Sequence, residues 1–269
     1  MVKLRVLASL GLVGLDFIGS SAIKAFDIVG DFSLFLLDMF KTLFGTKLKF
    51  SKFLFHMEKI GVNSFAISAI TGCFAGAVLT IQSYKGFKQF GGEQFIGPVV
   101  SLAMARELGP VLTGFMVAGR AGSAIAAEIA TMQITEQIDA LKTLCINVQQ
   151  YLIVPRILAG AVILPFLALF SMMFGVAGGY LVSVYTLGIN PEEYTSGIKS
   201  LVEFSDIIGG LIKASVFGFI LTAVGSYKGY TAKDGARGVG IATTQSVVVS
   251  SILIIIANYF LAVILFGPS

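Results

Sequence analysis

The sequence has few of the residues from which catalytic and metal-binding sites are built. It contains one histidine, His56, and two cysteines, Cys73 and Cys145, which lie in apolar surroundings without the spacing of metal ligands. It has no Gly-x-x-x-x-Gly-Lys-Ser/Thr motif, no His-Glu-x-x-His motif and no set of nucleophile, base and orienting residue. We therefore expect a chain without catalytic residues, metal or cofactor, which neither binds nor hydrolyses nucleotide by itself.

Charged side chains are also scarce. They make up 13% of the 269 residues, hydrophobic residues make up 56%, and the mean hydropathy is +0.89. A soluble domain of this composition would expose too much apolar surface, so we predict a membrane protein. The net charge of +4 does not indicate a nucleic-acid partner, because the basic residues are scattered and lie mostly on one side of the predicted membrane.

Five hydrophobic segments are long enough to cross a bilayer, since about 20 helical residues at ~1.5 Å each cover a hydrocarbon core of ~30 Å. We place them near residues 63–82, 98–120, 157–181, 207–224 and 247–266. In the first segment small residues recur at every fourth position, and Ser68, Gly72 and Gly76 form the middle of this stripe. Because such stripes let helix backbones approach closely in lipid, we assign these three residues to helix packing.

Residues 1–59 do not form a clean membrane span. Apolar side chains fall on one helical face between residues 32 and 44, and lysines alternate with apolar residues between 47 and 59. This composition is typical of an amphipathic helix that lies at the membrane interface, with its lysines toward anionic headgroups. A helix packed on the rest of the protein is the alternative. We divide the chain into an interfacial region, 1–59, and a membrane domain, 60–269.

The distribution of lysine and arginine predicts the orientation in the membrane. Fourteen of them flank the predicted spans on one side and three on the other. The richer side includes the N-terminal region and the 121–156 loop, so we place both in the cytoplasm. With five spans, the C-terminus then lies on the opposite side of the membrane.

Two charged residues, Arg106 and Glu107, lie inside the second span, directly before Gly109 and Pro110. An ionisable group within a span costs ~2.5–3.5 kcal/mol on insertion scales, so it usually faces protein, water or a partner. Proline removes a backbone hydrogen bond and permits a kink. Two interpretations stay open. The four residues border a substrate path, or the charged pair holds helices together.

A glycine-rich segment, 118–124, leads from this span to a short amphipathic helix. Thr135 is a candidate N-cap, with acidic residues in the first turn, where the helix dipole favours carboxylates. The apolar residues of this helix recur at helical spacing outside the membrane, which predicts a partner groove that buries them. An ordinary solvated face is the alternative for its acidic residues. We assign to contact with a cytoplasmic partner Glu128, Met132, Ile134, Thr135, Glu136, Gln137, Ile138, Asp139 and Leu141.

Two ordered blocks of sequence carry a resemblance to a known family. The first comprises Arg-Glu-Leu-Gly-Pro (106–110), Ala-Gly-Arg-Ala-Gly-Ser-Ala (118–124) and residues 127–141, and the second comprises Gly-Val-Gly-Ile-Ala-Thr-Thr (238–244) and Val-Val-Val-Ser (247–250). From about Gly61 to Phe266 the chain resembles the MlaE permease family, the membrane subunit of ABC-type phospholipid transporters that work with MCE proteins. It departs from the family pattern at three places, with Ala130 for a glycine, Asn147-Val148 for Asp-Pro and Asn258 for an aspartate.

The resemblance implies both an architecture and an assembly. It implies an all-α membrane protein with an N-terminal interfacial amphipathic helix, five transmembrane helices and a cytoplasmic coupling helix. It also implies a homodimer in a bacterial inner membrane, with MlaF-like ATPases in the cytoplasm, an MlaD-like MCE protein on the periplasmic side and an MlaB-like STAS protein as a further partner. The substrate would be phospholipid moving between inner and outer membranes, its headgroup near Arg106, and residues 128–144 would couple to the ATPase.

Other classes of function make different predictions. An ion-driven secondary transporter of a lipid-like or other amphipathic substrate would show inverted repeats and ionisable residues near mid-membrane in several spans. No repeat is visible, and only Arg106, Glu107 and Lys213 lie within spans. A membrane-embedded enzyme is a third class, which the missing catalytic residues disfavour.

Overall fold

The structure, a computed structural model, describes residues 23, 26–27, 29–45 and 49–267, and the regular elements among them are all helical. The chain divides into two units, Met1–Thr46 and Lys47–Ser269. In the first unit residues 29–45 form a helix, α1, whose buried side chains include Phe35 and Met39 at helical spacing. The position of this helix at the membrane interface stays a prediction, and residues 1–22 of the expected interfacial region lie outside the described residues.

The second unit carries the remaining helices. Their bounds are α2 Phe50–Phe87, α3 Ile96–Ala103, α4 Gly109–Val117, α5 Ser123–Ile134, α6 Gln137–Thr143, α7 Val154–Leu181, α8 Pro191–Leu201, α9 Phe204–Tyr230 and α10 Gly235–Phe266. Short π-helical turns, Met104–Leu108 and Ala118–Gly122, join α3, α4 and α5 into one continuous rod. Two more, Gln149–Ile153 and Val182–Thr186, flank α7.

Five helical stretches of this unit are long and apolar enough to cross a membrane. They are Phe50–Phe90, Glu93–Ile134, Gln149–Thr186, Phe204–Tyr230 and Gly235–Phe266. Each contains one of the segments expected from the sequence, so the prediction of an all-α protein with five spans is confirmed. The helices extend beyond the apolar segments. In particular, α2 runs through residue 59, where the sequence suggested a division, because no proline or glycine interrupts residues 50–60.

The packing of α2 against α7 depends on small residues. The stripe at every fourth position of α2 is buried along its whole length and consists of Ser64, Ser68, Gly72, Gly76 and Thr80. A Cβ atom on Gly72 would overlap the carbonyl oxygen of Ser171, and one on Gly76 would overlap the carbonyl oxygen of Gly175. The two backbones are therefore in direct contact, which a side chain larger than glycine would prevent.

The spans differ in how deeply they are buried. In Phe204–Tyr230, 56% of the residues in the apolar part of the span are buried inside the protein. In Gly235–Phe266 only 11% are buried. Helix α9 contacts α5, α7 and α10 and so lies at the centre of the bundle, whereas α10 lies at its edge.

Helix α8 lies outside the spans, between α7 and α9. It begins at Pro191, and the Asn190 side chain accepts a hydrogen bond from the backbone N–H of Glu192. Its one buried residue, Tyr194, donates to the carbonyl oxygen of Val176 in α7 at 3.3 Å. Burial raises the pKa of the Tyr194 phenol to about 12. The buried ring and its hydrogen bond to Val176 attach α8 to α7.

Candidate functional site

A charged cluster lies where the π turn Met104–Leu108 interrupts the second span. The Arg106 guanidinium donates from Nε to Asp206 Oδ1 at 2.8 Å, and its second nitrogen lies 2.7 Å from the same oxygen. Asp206 stands in the first turn of α9, where its other oxygen accepts from the backbone N–H of Glu203 at 3.0 Å. A π turn adds one residue to the helical repeat and is frequent at functional sites. It places Arg106 against α9.

Glu107 joins the same region to two other helices. Its Oε1 accepts from Lys213 Nζ of α9 at 2.6 Å, and its Oε2 accepts from Asn258 Nδ2 of α10 at 2.9 Å. Lys213 also donates to the carbonyl oxygen of Arg106 at 3.0 Å. Pro110 has no N–H to donate to that oxygen four residues earlier, so the lysine supplies a donor that the helix lacks.

The exposure of the four charged side chains bears on both interpretations of Arg106 and Glu107. The Lys213 and Asp206 side chains are buried, at 0% and 3% exposure, and their ion pairs tie the second span to α9. Arg106 and Glu107 nevertheless keep 37% and 39% of their side chains exposed. The cluster therefore holds helices together and still presents a guanidinium and a carboxylate at the surface of the chain.

The cluster is electrically balanced, with two cations and two carboxylates. The fifth member is neutral, since the Asn258 amide of α10 donates to Glu107. Sequence reasoning did not find Asp206 or Asn258 as members of this cluster. For Asp206 a signal existed, since it is a lone carboxylate at the start of an apolar span.

An apolar cavity of about 580 Å³ opens beside the cluster. Its wall includes Ala105 and Ile207, the chain neighbours of Arg106 and Asp206, together with Met172 of α7 and Tyr194 of α8. The predicted path residues Gly109 and Pro110 are buried and do not line the cavity, although Gly109 packs against Met172 of its wall. A charged edge next to an apolar cavity suits a ligand with a polar head and an apolar body.

The short helix expected after the second span is present as α6, but it begins differently. The Thr135 hydroxyl donates to the carbonyl oxygen of Thr131 at 2.7 Å and does not cap α6. Glu136 occupies the N-cap position with a φ of 60°, so the chain reverses sharply between α5 and α6. The expected Thr135 cap is therefore wrong, because a tight turn takes the place of a capped helix start.

The residues assigned to a cytoplasmic partner separate into surface and interior. Thr135, Glu136, Gln137 and Asp139 are exposed, whereas Met132, Ile134 and Leu141 are partly buried. Ile138 is fully buried within the chain, so a partner cannot reach it, and its assigned contact is corrected to a packing role. Leu144, which was not assigned, is 70% exposed directly after α6. Its place at the end of the apolar repeat was the signal.

Glu128 also has a role within the chain. Its Oε2 lies 2.7 Å from Lys59 Nζ of α2, and its Oε1 accepts from Arg156 of α7 at 2.8 Å. This carboxylate therefore connects α2, α5 and α7 near the end of the second span. The part of the predicted surface that remains free is the turn at Thr135 and Glu136, helix α6 and Leu144, which we call the α6 surface.

Five helices long and apolar enough to cross a membrane, with a charged cluster and an apolar cavity among them, define a multi-pass membrane protein. A family model described as Permease MlaE matches residues 53–264 of the chain. The chain belongs to the MlaE permease family, as residues 106–141 and 238–250 indicated.

Three relatives illustrate the range of this similarity. The chain is 45% identical over 251 residues to a probable ABC transporter permease protein of Rickettsia typhi, covering 93% of this chain and 97% of the relative. It is 36% identical over 212 residues to the intermembrane phospholipid transport system permease protein MlaE of Haemophilus influenzae, covering 78% and 81%. It is 39% identical over 206 residues to the chloroplastic protein TRIGALACTOSYLDIACYLGLYCEROL 1 of Arabidopsis thaliana, covering 77% and 59%.

Proposed function

We propose that the chain is the permease subunit of an ABC-type transporter that moves phospholipid between the inner and outer membranes of a Gram-negative envelope. The observations that carry this proposal are the partly exposed Arg106–Glu107 pair and the 580 Å³ apolar cavity, whose wall includes Ala105, the chain neighbour of Arg106. A guanidinium binds phosphate through charge-assisted hydrogen bonds, and the cavity beside it accommodates an acyl chain. The Haemophilus relative, an intermembrane phospholipid transport system permease protein, supports the same substrate, and the Rickettsia relative, a probable ABC transporter permease protein, supports the same class of transporter.

The substrate cavity is completed, in this proposal, by a second copy of the chain. Ionisable groups exposed at the level of the membrane interior do not face hydrocarbon, so Arg106 and Glu107 require a covering surface or water. Helix α10 contributes Asn258 to the cluster and is the least buried span. A homodimer that meets along α10 would shield the two charges and enclose a path between the copies.

Energy would come from a separate MlaF-like ATPase bound at the α6 surface. This surface is exposed, lies at the end of the second span and is connected through α5 and the π turns to the charged cluster. The bias of lysine and arginine supports a cytoplasmic N-terminus and α6 surface, with α8 and the C-terminus in the periplasm. An MlaD-like MCE protein would then cover the α8 side, and an MlaB-like STAS protein would join in the cytoplasm.

Photo-crosslinking in the reconstituted complex tests the substrate assignment. A photoreactive residue at Ile207, in the cavity wall, should capture phospholipid in an ATP-dependent manner, whereas one at Val162, exposed on α7, should capture bulk lipid irrespective of ATP. The paired variant Arg106→Gln/Asp206→Asn removes the guanidinium without leaving Asp206 as an unpaired buried charge. It should lower capture at Ile207 about tenfold and leave capture at Val162 unchanged.

The same preparation separates the proposal from the ion-driven alternative. Transfer of labelled phospholipid should need the ATPase and ATP and should not respond to an imposed proton or sodium gradient. Transfer driven by such a gradient without ATP would identify a secondary transporter. Equal capture at Ile207 in the wild type and the paired variant would show that the cluster does not bind the headgroup.

A further inference from the structure

The N-terminal end of α2 carries two lysines that lie over one aromatic ring. Lys49 Nζ is 4.9 Å and Lys52 Nζ is 2.8 Å from the ring centroid of Tyr151, in the π turn before α7. Within the described part of the chain, neither ammonium has a carboxylate at ion-pair distance. Two positive charges over the same ring repel each other, so an anion bound between them would stabilise this arrangement.

A pocket of about 380 Å³ lies beside this pair and is separate from the transport cluster. Lys52 and Tyr151 line it together with His56, Glu128 and Arg156. Glu128 and Arg106 both lie on the continuous rod of α3, α4 and α5, on the order of 30 Å apart at ~1.5 Å per residue. A ligand in this pocket is therefore a different molecule from one bound at Arg106.

The charged groups of the pocket leave an excess of positive charge. Arg156 is buried and donates to Glu128 at 2.8 Å and to the carbonyl oxygen of Leu152 at 2.8 Å, while its Nε has no hydrogen-bond partner among the residues described. The second oxygen of Glu128 already accepts from Lys59. One carboxylate thus serves two cations, and the charges of Lys49 and Lys52 are left without an anion.

We propose that this pocket binds a phosphate group. Lys52 lines the pocket and Lys49 lies over the same Tyr151 ring, so both supply a positive charge without a paired carboxylate among the described residues, and His56 and Tyr151 line the pocket as residues with hydrogen-bonding groups. The remaining wall is partly apolar, with Met132 from α5. This chemistry fits the headgroup of an anionic phospholipid in the leaflet next to the pocket, and it also fits a soluble phosphate.

Native mass spectrometry of the full-length protein in detergent measures this binding without any transport step. Phosphatidylglycerol is the probe, and the test variant is Lys49→Gln/Lys52→Gln. At about 1 kcal/mol for each lysine, the variant should bind the lipid about thirty-fold more weakly than the wild type. The arginine variant Lys49→Arg/Lys52→Arg keeps both charges and should retain binding.

A matched control is present on the same helix. Lys85→Gln/Lys88→Gln removes two charges from the other end of α2, where Lys88 also lies over a tyrosine ring, that of Tyr84, at 5.0 Å. This control should bind phosphatidylglycerol like the wild type. Equal binding by the wild type and the Lys49/Lys52 glutamine variant, or an equal loss in the control, would overturn the proposal.

Two further arms identify the source of the phosphate and keep the two proposals apart. If millimolar inorganic phosphate displaces the lipid, the pocket is a site for soluble phosphate, and if it does not, the pocket is a site for a lipid headgroup. Either result requires that binding depend on Lys49 and Lys52. In the Arg106→Gln/Asp206→Asn background, Lys49→Gln/Lys52→Gln should weaken phosphatidylglycerol binding by the same factor as in the wild type. This holds whatever the effect of the Arg106/Asp206 substitutions on transport.

Discussion

Glu128 was expected at the contact with an ATPase, yet its carboxylate connects three helices of its own chain. It accepts from Lys59 of α2 and from Arg156 of α7, and the Arg156 side chain is only 3% exposed. A buried guanidinium without its carboxylate is an uncompensated charge in a medium of low polarity. The structural role of Glu128 is therefore sufficient to account for its position, without a partner.

We predict that Glu128→Gln lowers the stability of the solubilised protein by about 1–3 kcal/mol. This loss is smaller than for a fully buried ion pair, because the Glu128 side chain is partly exposed. Asp139→Asn is the control, since it removes a carboxylate from the exposed Asp139–Lys142 pair and should change stability by less than about 0.5 kcal/mol. Thermal unfolding in detergent measures both. Equal midpoints for the two variants would show that the Glu128 pairs contribute nothing to stability.

Among the elements, α2 and α7 depend most directly on glycine. At Gly76 the two backbones meet, and a methyl group there would overlap the Gly175 carbonyl oxygen. Gly86 lies ten residues further along the same helix, and a Cβ atom there would meet nothing within 4 Å. Both glycines lie in the same helix but differ in their surroundings. Alanine substitutions at the two positions therefore separate the effect of close packing on stability from the effect of helix propensity.

We predict that Gly76→Ala destabilises the protein by about 1–3 kcal/mol or more, because a rigid backbone oxygen cannot move aside. Gly86→Ala should be neutral or stabilising by up to about 1 kcal/mol, since alanine favours the helix. The thermal unfolding midpoints of the two variants provide the comparison. A Gly76→Ala protein as stable as the wild type would mean that α2 and α7 separate without cost.

The α6 surface provides the second prediction at this scale. Leu144 is an exposed part of this surface and Ile138 is the buried residue of α6, so the two residues should respond differently to substitution by aspartate. Leu144→Asp should leave the chain folded but lower co-purification of the ATPase subunit at least tenfold. Ile138→Asp should instead reduce the amount of folded chain, because it buries an unpaired charge.

Leu201, exposed on α8 at the other end of the bundle, is the control for Leu144. Leu201→Asp should leave co-purification of the ATPase at the level of the wild type. If Leu144→Asp and Leu201→Asp retain the ATPase equally, the α6 surface is not its contact.

The elements also indicate what the sequence alone could reveal. Hydropathy and helical periodicity are local properties, so they located the five spans and the small-residue stripe of α2. The turn at Glu136 and the burial of Ile138 depend on how α6 folds back, which periodicity cannot register. Helix α8 was not anticipated, although Asn190 before Pro191 is a signal for a helix start.

At the scale of the whole molecule, the partners of the intramembrane charges were beyond sequence reasoning. Arg106 pairs with a residue 100 positions away and Glu107 with one 151 positions away, and no local pattern relates them. The sequence did reveal that charges inside a span need an explanation. The structure adds that the Arg106 and Glu107 side chains are only partly buried within one chain, and this leads to the prediction of a dimer.

We predict that two copies meet along α10. Its exposed side carries large apolar residues at helical spacing, among them Ile252, Ile256, Tyr259 and Val263, on the helix that also carries Asn258 of the cluster. Lipid could cover this row, but it could not satisfy the exposed parts of Arg106 and Glu107 next to it. A second α10 would let the cluster of each copy face a shared interior.

Cysteine cross-linking in native membranes tests this arrangement in a background in which Cys73 and Cys145 are replaced by serine. Ile256→Cys should give a cross-linked dimer with a short bifunctional maleimide, because related positions on two α10 helices lie close together across a two-fold axis. Phe74→Cys, at a position on α2 that is also exposed, should stay monomeric. Cross-linking at Phe74 but not at Ile256 would place the partner on the α2 side. In that case the exposed charges of the cluster would have to be covered by water or by another subunit rather than by a second copy of α10.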